Sequence, residues 1–92
     1  MKYAIYYYEN VLQSAEELLD FGENMLQTDE ISSVQNFYET LKNSTKKTYE
    51  LMPLSQKKWY GDFDYFEAAY IGYYYVLADN KIYKLKSYIS KK

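Results

Sequence analysis

Tyrosine constrains the fold of this chain more than any other residue type does. The sequence has 14 Tyr among 92 residues and no Cys, so no disulfide holds it together. A Tyr ring buries a large apolar area, while its hydroxyl needs a polar partner or water. We therefore expect one compact domain over residues 1–92 in which Tyr does much of the packing. The tyrosines that do not fit into so small a core should be exposed, and exposed Tyr is enriched at protein interfaces.

Charge is unevenly divided along the chain. The net charge is −2, but residues 1–40 carry one Lys and eight acids, which gives −7. Residues 41–92 carry ten Lys and five acids, which gives +5. Such asymmetry indicates an interaction face. The alternative is that the two halves lie side by side and neutralise each other.

The first third of the chain predicts a strand followed by a long helix. Residues 2–8 are β-branched or aromatic with almost no charge, which is typical of a strand. Asn10 with Gln13 three residues later has capping-box spacing. Apolar residues then recur every three or four positions, which predicts a helix over residues 11–27 with Gly22 on its apolar stripe.

The middle of the chain predicts a second long helix over residues 30–51. Pro53 ends it, because Pro disfavours helical geometry at Met52. We expect the two long helices to form an antiparallel pair with a short join. Residues 55–60 predict a short turn or helix that stops at Gly61.

The last third predicts a short helix and a hairpin. Asp64 and Glu67 have a second capping-box spacing, and Gly72 suits the end of the helix that they begin. Residues 73–78 and 81–88 predict two strands joined by a two-residue Asp-Asn turn. The expected fold is α+β, with a small antiparallel sheet (N-terminal strand plus C-terminal hairpin) packed against two longer helices and one short helix. Its second sheet face should be aromatic, covered by a loop or offered to a partner.

The residues that most enzymes use are missing. The sequence has no His, Cys or Arg, and its three Gly are scattered, so it has no proton shuttle near neutral pH, no thiolate and no phosphate-binding loop. Asp62 and Asp64 fit loop solvation and capping better than a calcium loop. We expect no catalytic residue, no metal and no cofactor. The N-terminal run does not resemble a signal peptide and no stretch is long enough to span a membrane, so we expect a cytoplasmic protein without membrane contact.

Seven acids within 22 positions and two tyrosines of the predicted sheet are the candidate partner-binding residues. They are Glu9, Glu16, Glu17, Asp20, Glu23, Asp29, Glu30, Tyr73 and Tyr75. An acidic helix of this density fits a groove built for DNA phosphates, and complementary charge speeds association. The alternative is an ordinary solvated helix face.

The segment from Trp59 to Leu85, "WYGDFDYFEAAYIGYYYVLADNKIYKL", resembles the C-terminal end of ArdA-type antirestriction proteins. Phe63, Asp64 and Tyr65 match the aromatic–Asp–Tyr opening, residues 68–70 match the short helix, and residues 79–85 match the closing hairpin. The resemblance implies a small inhibitor carried by a phage or mobile element. Such an inhibitor would bind a host defence nuclease, either a CRISPR effector or a restriction enzyme, and occupy its nucleic-acid-binding surface.

Other functions remain open from the sequence. The chain is also compatible with an immunity or antitoxin-like protein that neutralises a toxin, and an uncovered aromatic sheet face suits a homodimer. A nucleic-acid-binding regulator would use the basic and aromatic residues of the C-terminal hairpin and tail. Those residues are Lys81, Lys84, Lys86, Lys91, Lys92, Tyr83 and Tyr88. The missing Arg and the net negative charge argue against direct nucleic-acid binding.

Overall fold

The fold is built on a four-stranded antiparallel sheet. A computed structural model describes residues 2–90 of the chain. The strands are β1 (Tyr3–Tyr7), β2 (Glu23–Thr28), β3 (Tyr74–Ala78) and β4 (Lys81–Lys84), in the order β2-β1-β3-β4. The predicted pairing of the N-terminal strand with the C-terminal hairpin is confirmed, because β1 pairs with β3. The fourth strand, β2, was not predicted.

One long helix and four short ones surround the sheet. They are α1 (Ala15–Phe21), α2 (Ile31–Glu50), α3 (Leu54–Tyr60), α4 (Phe63–Ile71) and α5 (Leu85–Ser90). The α+β class is confirmed, but the expectation of two longer helices and one short helix is wrong. The molecule measures 42 × 27 × 20 Å.

The predicted helix over residues 11–27 is wrong, and so is the predicted helix pair. Ser14, not Asn10, caps α1, and its side-chain oxygen accepts the backbone N–H of Glu17 at 3.1 Å. The helix stops at Gly22, whose backbone is extended (φ −72°, ψ 153°). A Cβ at Gly22 would lie 2.5 Å from the carbonyl oxygen of Leu18, so only glycine fits this close turn. The chain then enters β2 and pairs with β1.

The predicted bounds of the second long helix and of the short helix after Pro53 are confirmed. Helix α2 begins at Ile31 and ends at Glu50, and α3 follows between Pro53 and Gly61. Gly61 has φ +77°, a left-handed conformation that favours glycine and ends the helix. The predicted capping box of α4 is wrong, because the Asp62 side chain accepts the Tyr65 backbone N–H at 2.9 Å.

The C-terminal hairpin forms as predicted, but its second strand is shorter. Asp79 and Asn80 have φ values of 53° and 61°, the geometry of a two-residue type I′ turn. Strand β4 ends at Lys84, and Leu85 begins α5, where the prediction placed a strand to residue 88. The helix forms because it buries Leu85 and packs Tyr88 and Ile89 against the main core, at spacings of three and four residues.

The two faces of the sheet pack against different helices. The main core joins β1 and β3 to α2, α4 and α5, and consists of Ile5, Val34, Tyr38, Ile71, Tyr74, Val76, Ala78 and Leu85. On the other face, α1 covers one end of the sheet with Leu18, which packs on Tyr8 and Tyr75. The predicted aromatic second face therefore exists, and α1 covers its Tyr75 end.

A connected set of aromatic rings extends the core beyond the sheet. It begins at Tyr7 and Tyr74, whose ring centroids are 4.9 Å apart, and continues through Tyr70 to Phe66. Phe66 then contacts Tyr60 of α3 and Tyr49 of α2. The C-terminal part of α2 is thereby fixed to α3 and α4. Tyrosine does much of the packing, as the composition predicts.

Candidate protein-binding surface

Helix α1 is held on the sheet by few interactions. It has seven residues, and Leu18 is its single buried residue. The Tyr8 hydroxyl donates a short hydrogen bond to Oε1 of Glu17, and the Gln13 backbone N–H donates to Oε2 of the same carboxylate at 3.3 Å. Glu16 and Glu17 also lie in the first turn, where negative charge is favourable next to the helix N-terminus. Glu17 therefore serves the fold and is only partly available to a partner.

A second tyrosine–carboxylate pair fixes the segment before α1. The Tyr7 hydroxyl donates to Oε1 of Glu9 at 2.7 Å, and this hydrogen bond, with burial, raises the pKa of Tyr7 well above its usual range. The hydrogen bond to Glu17 likewise raises the pKa of Tyr8. Both hydroxyls stay protonated and act as donors at neutral pH, so Glu9 and Glu17 keep their orientation.

Two of the predicted acids, Glu9 and Glu23, meet at one end of the sheet. Glu23 begins β2 opposite Tyr7, and an open depression of about 350 Å³ brings it together with Glu9 and Phe21. A neighbouring depression of about 510 Å³ is lined by Glu9, Val11 and Tyr73 and also by one basic residue, Lys84. Glu16 and Asp20 are exposed on α1, the helix that ends at Phe21.

Large apolar side chains lie exposed among these acids. Phe21 is 76% exposed and Val11 81%, and Leu19 is also exposed. The helical pattern assigned Val11 and Leu19 to a buried stripe, and Phe21 was not singled out. We call this region the acidic surface. It consists of Glu9, Val11, Glu16, Leu19, Asp20, Phe21 and Glu23.

Three predicted contact residues lie elsewhere. Asp29 and Glu30 follow β2 at the opposite end of the sheet, about 17–20 Å away for a six-residue strand. There, Asp29 Oδ1 accepts the Lys2 backbone N–H at 3.0 Å. Tyr75 is only 7% exposed beneath α1, so its expected role as an exposed anchor is wrong. Tyr73 is partly exposed, edge-on to Tyr7 with ring centroids 6.3 Å apart.

A second exposed apolar region, around α3, was not predicted from the sequence. Trp59 is 84% exposed and stands between two open depressions, one lined by Leu54 and Lys58 and the other by Tyr65. We call this region the tryptophan surface. It consists of Leu51, Leu54, Lys58, Trp59 and Tyr65. The Trp and Leu residues between Pro53 and Gly61 could have indicated an exposed apolar surface, because a helix of seven residues buries few side chains.

The hairpin considered for nucleic-acid binding offers a poor stacking platform. Tyr83 and Tyr88 face each other with centroids 5.1 Å apart and pack against the main core. Lys81 and Lys84 are exposed on β4. Lys86 lies beside the buried Glu67, with its Nζ 3.8 Å from Oε1, and Lys91 and Lys92 lie outside the described residues.

Within residues 2–90, no three acids are grouped in a way that could hold a metal ion. None of the helices in this part of the chain has the length and apolar character needed to cross a membrane.

Comparison with known protein families, curated proteins and solved structures gives no match.

Proposed function

We propose that the protein is a non-enzymatic inhibitor that binds another protein through the acidic surface. The observation that carries the proposal is Phe21, a phenyl ring 76% exposed in the same depression as the carboxylates of Glu9 and Glu23. Exposed aromatic groups in apolar clusters mark protein interfaces, and aromatic anchors supply much of the binding energy at such sites. The surrounding carboxylates select a basic partner.

The charge of this region favours a partner that normally binds nucleic acid. Residues 9–23 contain five acids and no Lys. A surface evolved to bind phosphates presents Lys and Arg, and an acidic protein with apolar anchors can occupy it. The resemblance to ArdA-type proteins adds the context of a phage or mobile element acting in the host cytoplasm. The proposed target is therefore a host defence nuclease, either a restriction enzyme or a CRISPR effector.

A phage plating assay tests this function. The protein is expressed in bacteria that carry a restriction system or a CRISPR system, and the efficiency of plating of a targeted phage is measured. We expect the protein to raise plating by orders of magnitude in a strain with the matching defence system. Reversing the charge at Glu16, Asp20 and Glu23 to Lys should remove this effect.

The control is a variant with the same change in net charge at other exposed positions. Glu30, Glu39 and Glu50 are exposed and lie outside the acidic surface, so their combined change to Lys should preserve inhibition. Equal plating with the two triple variants would refute the assignment of the surface. No effect on plating in any defended strain would refute the function itself.

A further inference from the structure

The tryptophan surface lies in a part of the chain with a small positive charge. Residues 42–65, from the C-terminal half of α2 to Tyr65, contain five Lys and three acids, Glu50, Asp62 and Asp64, a net charge of +2. Lys57 is partly committed to the fold, because its Nζ donates to the Glu50 carbonyl at 3.2 Å and lies 5.5 Å from the Tyr49 ring centroid. Lys58 is exposed beside Trp59.

The acidic surface and the tryptophan surface are complementary. Residues 9–23 have a net charge of −5, against +2 for residues 42–65. Each region also exposes large apolar side chains, Phe21 and Val11 in one and Trp59 and Leu54 in the other. Opposite charge around apolar anchors favours and orients a specific contact.

The two surfaces cannot pair within one chain. Helix α1 covers the sheet face that carries Tyr75, whereas α2 packs on the face that carries Tyr74 and Val76. Successive residues of a strand point to opposite faces, so the sheet separates the two helices. Pairing therefore requires two molecules.

We propose that the acidic surface of one copy docks on the tryptophan surface of a second copy. The contact is head-to-tail, so an open assembly keeps a free acidic surface at one end and a free tryptophan surface at the other, and further copies add until a ring closes. A standard interface takes about 800 Å² from each partner. This is about one-eighth of the 6396 Å² surface of one chain.

Self-association would compete with the proposed inhibition, because both use the acidic surface. Target binding would require dissociation, so the oligomer would be a store of inactive protein. This competition rests on the proposed function. The contact between copies does not, because it can be measured with the pure protein alone.

Trp59 is the only tryptophan in the chain, which allows a mixing experiment with one fluorescent component. The first variant carries Glu16→Lys and Asp20→Lys and keeps the tryptophan surface. The second carries Lys58→Glu and Trp59→Ala and keeps the acidic surface. All four positions are exposed, so the rest of the fold should be kept, and far-UV circular dichroism checks this. Because Glu16 lies in the first turn of α1, hydrogen exchange at the Gly22 amide, which donates to the Leu18 carbonyl, checks that α1 is kept in the first variant.

Each variant alone should sediment as a monomer. The average molecular mass of the unchanged protein in solution should instead increase with its concentration. The mixture should form a 1:1 dimer and nothing larger, since each variant has one working surface. The fluorescence of Trp59 should shift to shorter wavelength and saturate at equal amounts. The dimer should weaken from about 50 mM to about 500 mM salt, because salt screens the charges.

The control variant carries Glu30→Lys and Glu39→Lys, which is the same charge change as in the first variant but away from the acidic surface. Measured alone, this variant should still self-associate. The proposal is overturned if the unchanged protein stays monomeric at every concentration or if the mixture shows no dimer. A dimer formed by either variant alone would show a like-with-like contact and also overturn it. The fluorescence of Trp59 in the first variant is also measured after adding a short single-stranded oligonucleotide. A shift with the oligonucleotide but none with the second variant would likewise overturn the proposal.

Discussion

Replacing Leu18 by Ala should release α1 from the sheet without unfolding the rest of the protein. Leu18 is fully buried and is the single buried residue of α1. The main core on the other sheet face contains no residue of α1. A helix of seven residues does not persist in water without tertiary packing. The stability of the acidic surface therefore depends on this one side chain.

The size of the effect follows from the burial of Leu18. Truncating a buried Leu to Ala costs about 2–5 kcal/mol. A loss of about 3 kcal/mol raises the population of the undocked helix by about two orders of magnitude. The Gly22 backbone N–H, which donates to the Leu18 carbonyl at 2.8 Å, reports the state of the helix directly.

Hydrogen exchange measures this prediction. In Leu18→Ala, exchange at Gly22 should accelerate about 100-fold, while the amides of β3 keep their protection. The matched control is Val34→Ala, which makes a cavity in the main core and should reduce protection throughout. If Leu18→Ala exposes β3 as much as it exposes Gly22, α1 is part of the global folding unit and the reasoning is refuted.

Two further predictions concern stability. Glu67 is 6% exposed, and its Oε1 lies 3.8 Å from Lys86 Nζ. Lys86→Ala should therefore lower the free energy of unfolding, measured in urea, by about 1–3 kcal/mol, because it leaves a buried carboxylate without its partner. Adding Glu67→Gln should recover most of the loss, and no recovery would show that the carboxylate needs no partner. Burial first, and then the hydrogen bond with Tyr70, raise the pKa of Tyr74 from 10.0 to about 12. The neutral hydroxyl therefore contributes stability below pH 10 that is lost towards pH 12, and Tyr74→Phe should unfold at higher pH than the unchanged protein. Identical alkaline midpoints would contradict this.

The sequence predicted the elements whose signals are local. Residues 31–50 form a helix because apolar residues keep helical spacing for five turns before Pro53, and the Asp79–Asn80 turn follows from the tolerance of both residues for positive φ. Strand β1 was recognisable because its residues are β-branched or aromatic and nearly uncharged.

The elements that were mispredicted depend on distant partners. Residues 23–28 fit a helical pattern, but pairing with β1 holds them as a strand, and Leu26 lies opposite Ile5. Gly22 was the local sign of the break, and it was assigned to the helix interior instead. The observed helix is shorter than the predicted one, and it leaves Phe21 and Leu19 exposed. The acidic residues of the candidate site were therefore predicted, but its apolar anchors were not.

The measurement that tests the central claim most directly is photo-crosslinking from the acidic surface. Benzoylphenylalanine replaces the exposed Phe21, keeping its phenyl ring and adding a benzoyl group that projects outwards. A second protein carries the same residue at the exposed Gln35 of α2 as a control. Both are irradiated in a lysate of bacteria with restriction and CRISPR systems. The account predicts a crosslink from position 21, but not from position 35, to a nucleic-acid-handling enzyme, and added DNA should suppress it. Equal crosslinking from both positions, or a crosslink from position 21 only to a second copy of the chain, would contradict the proposed function.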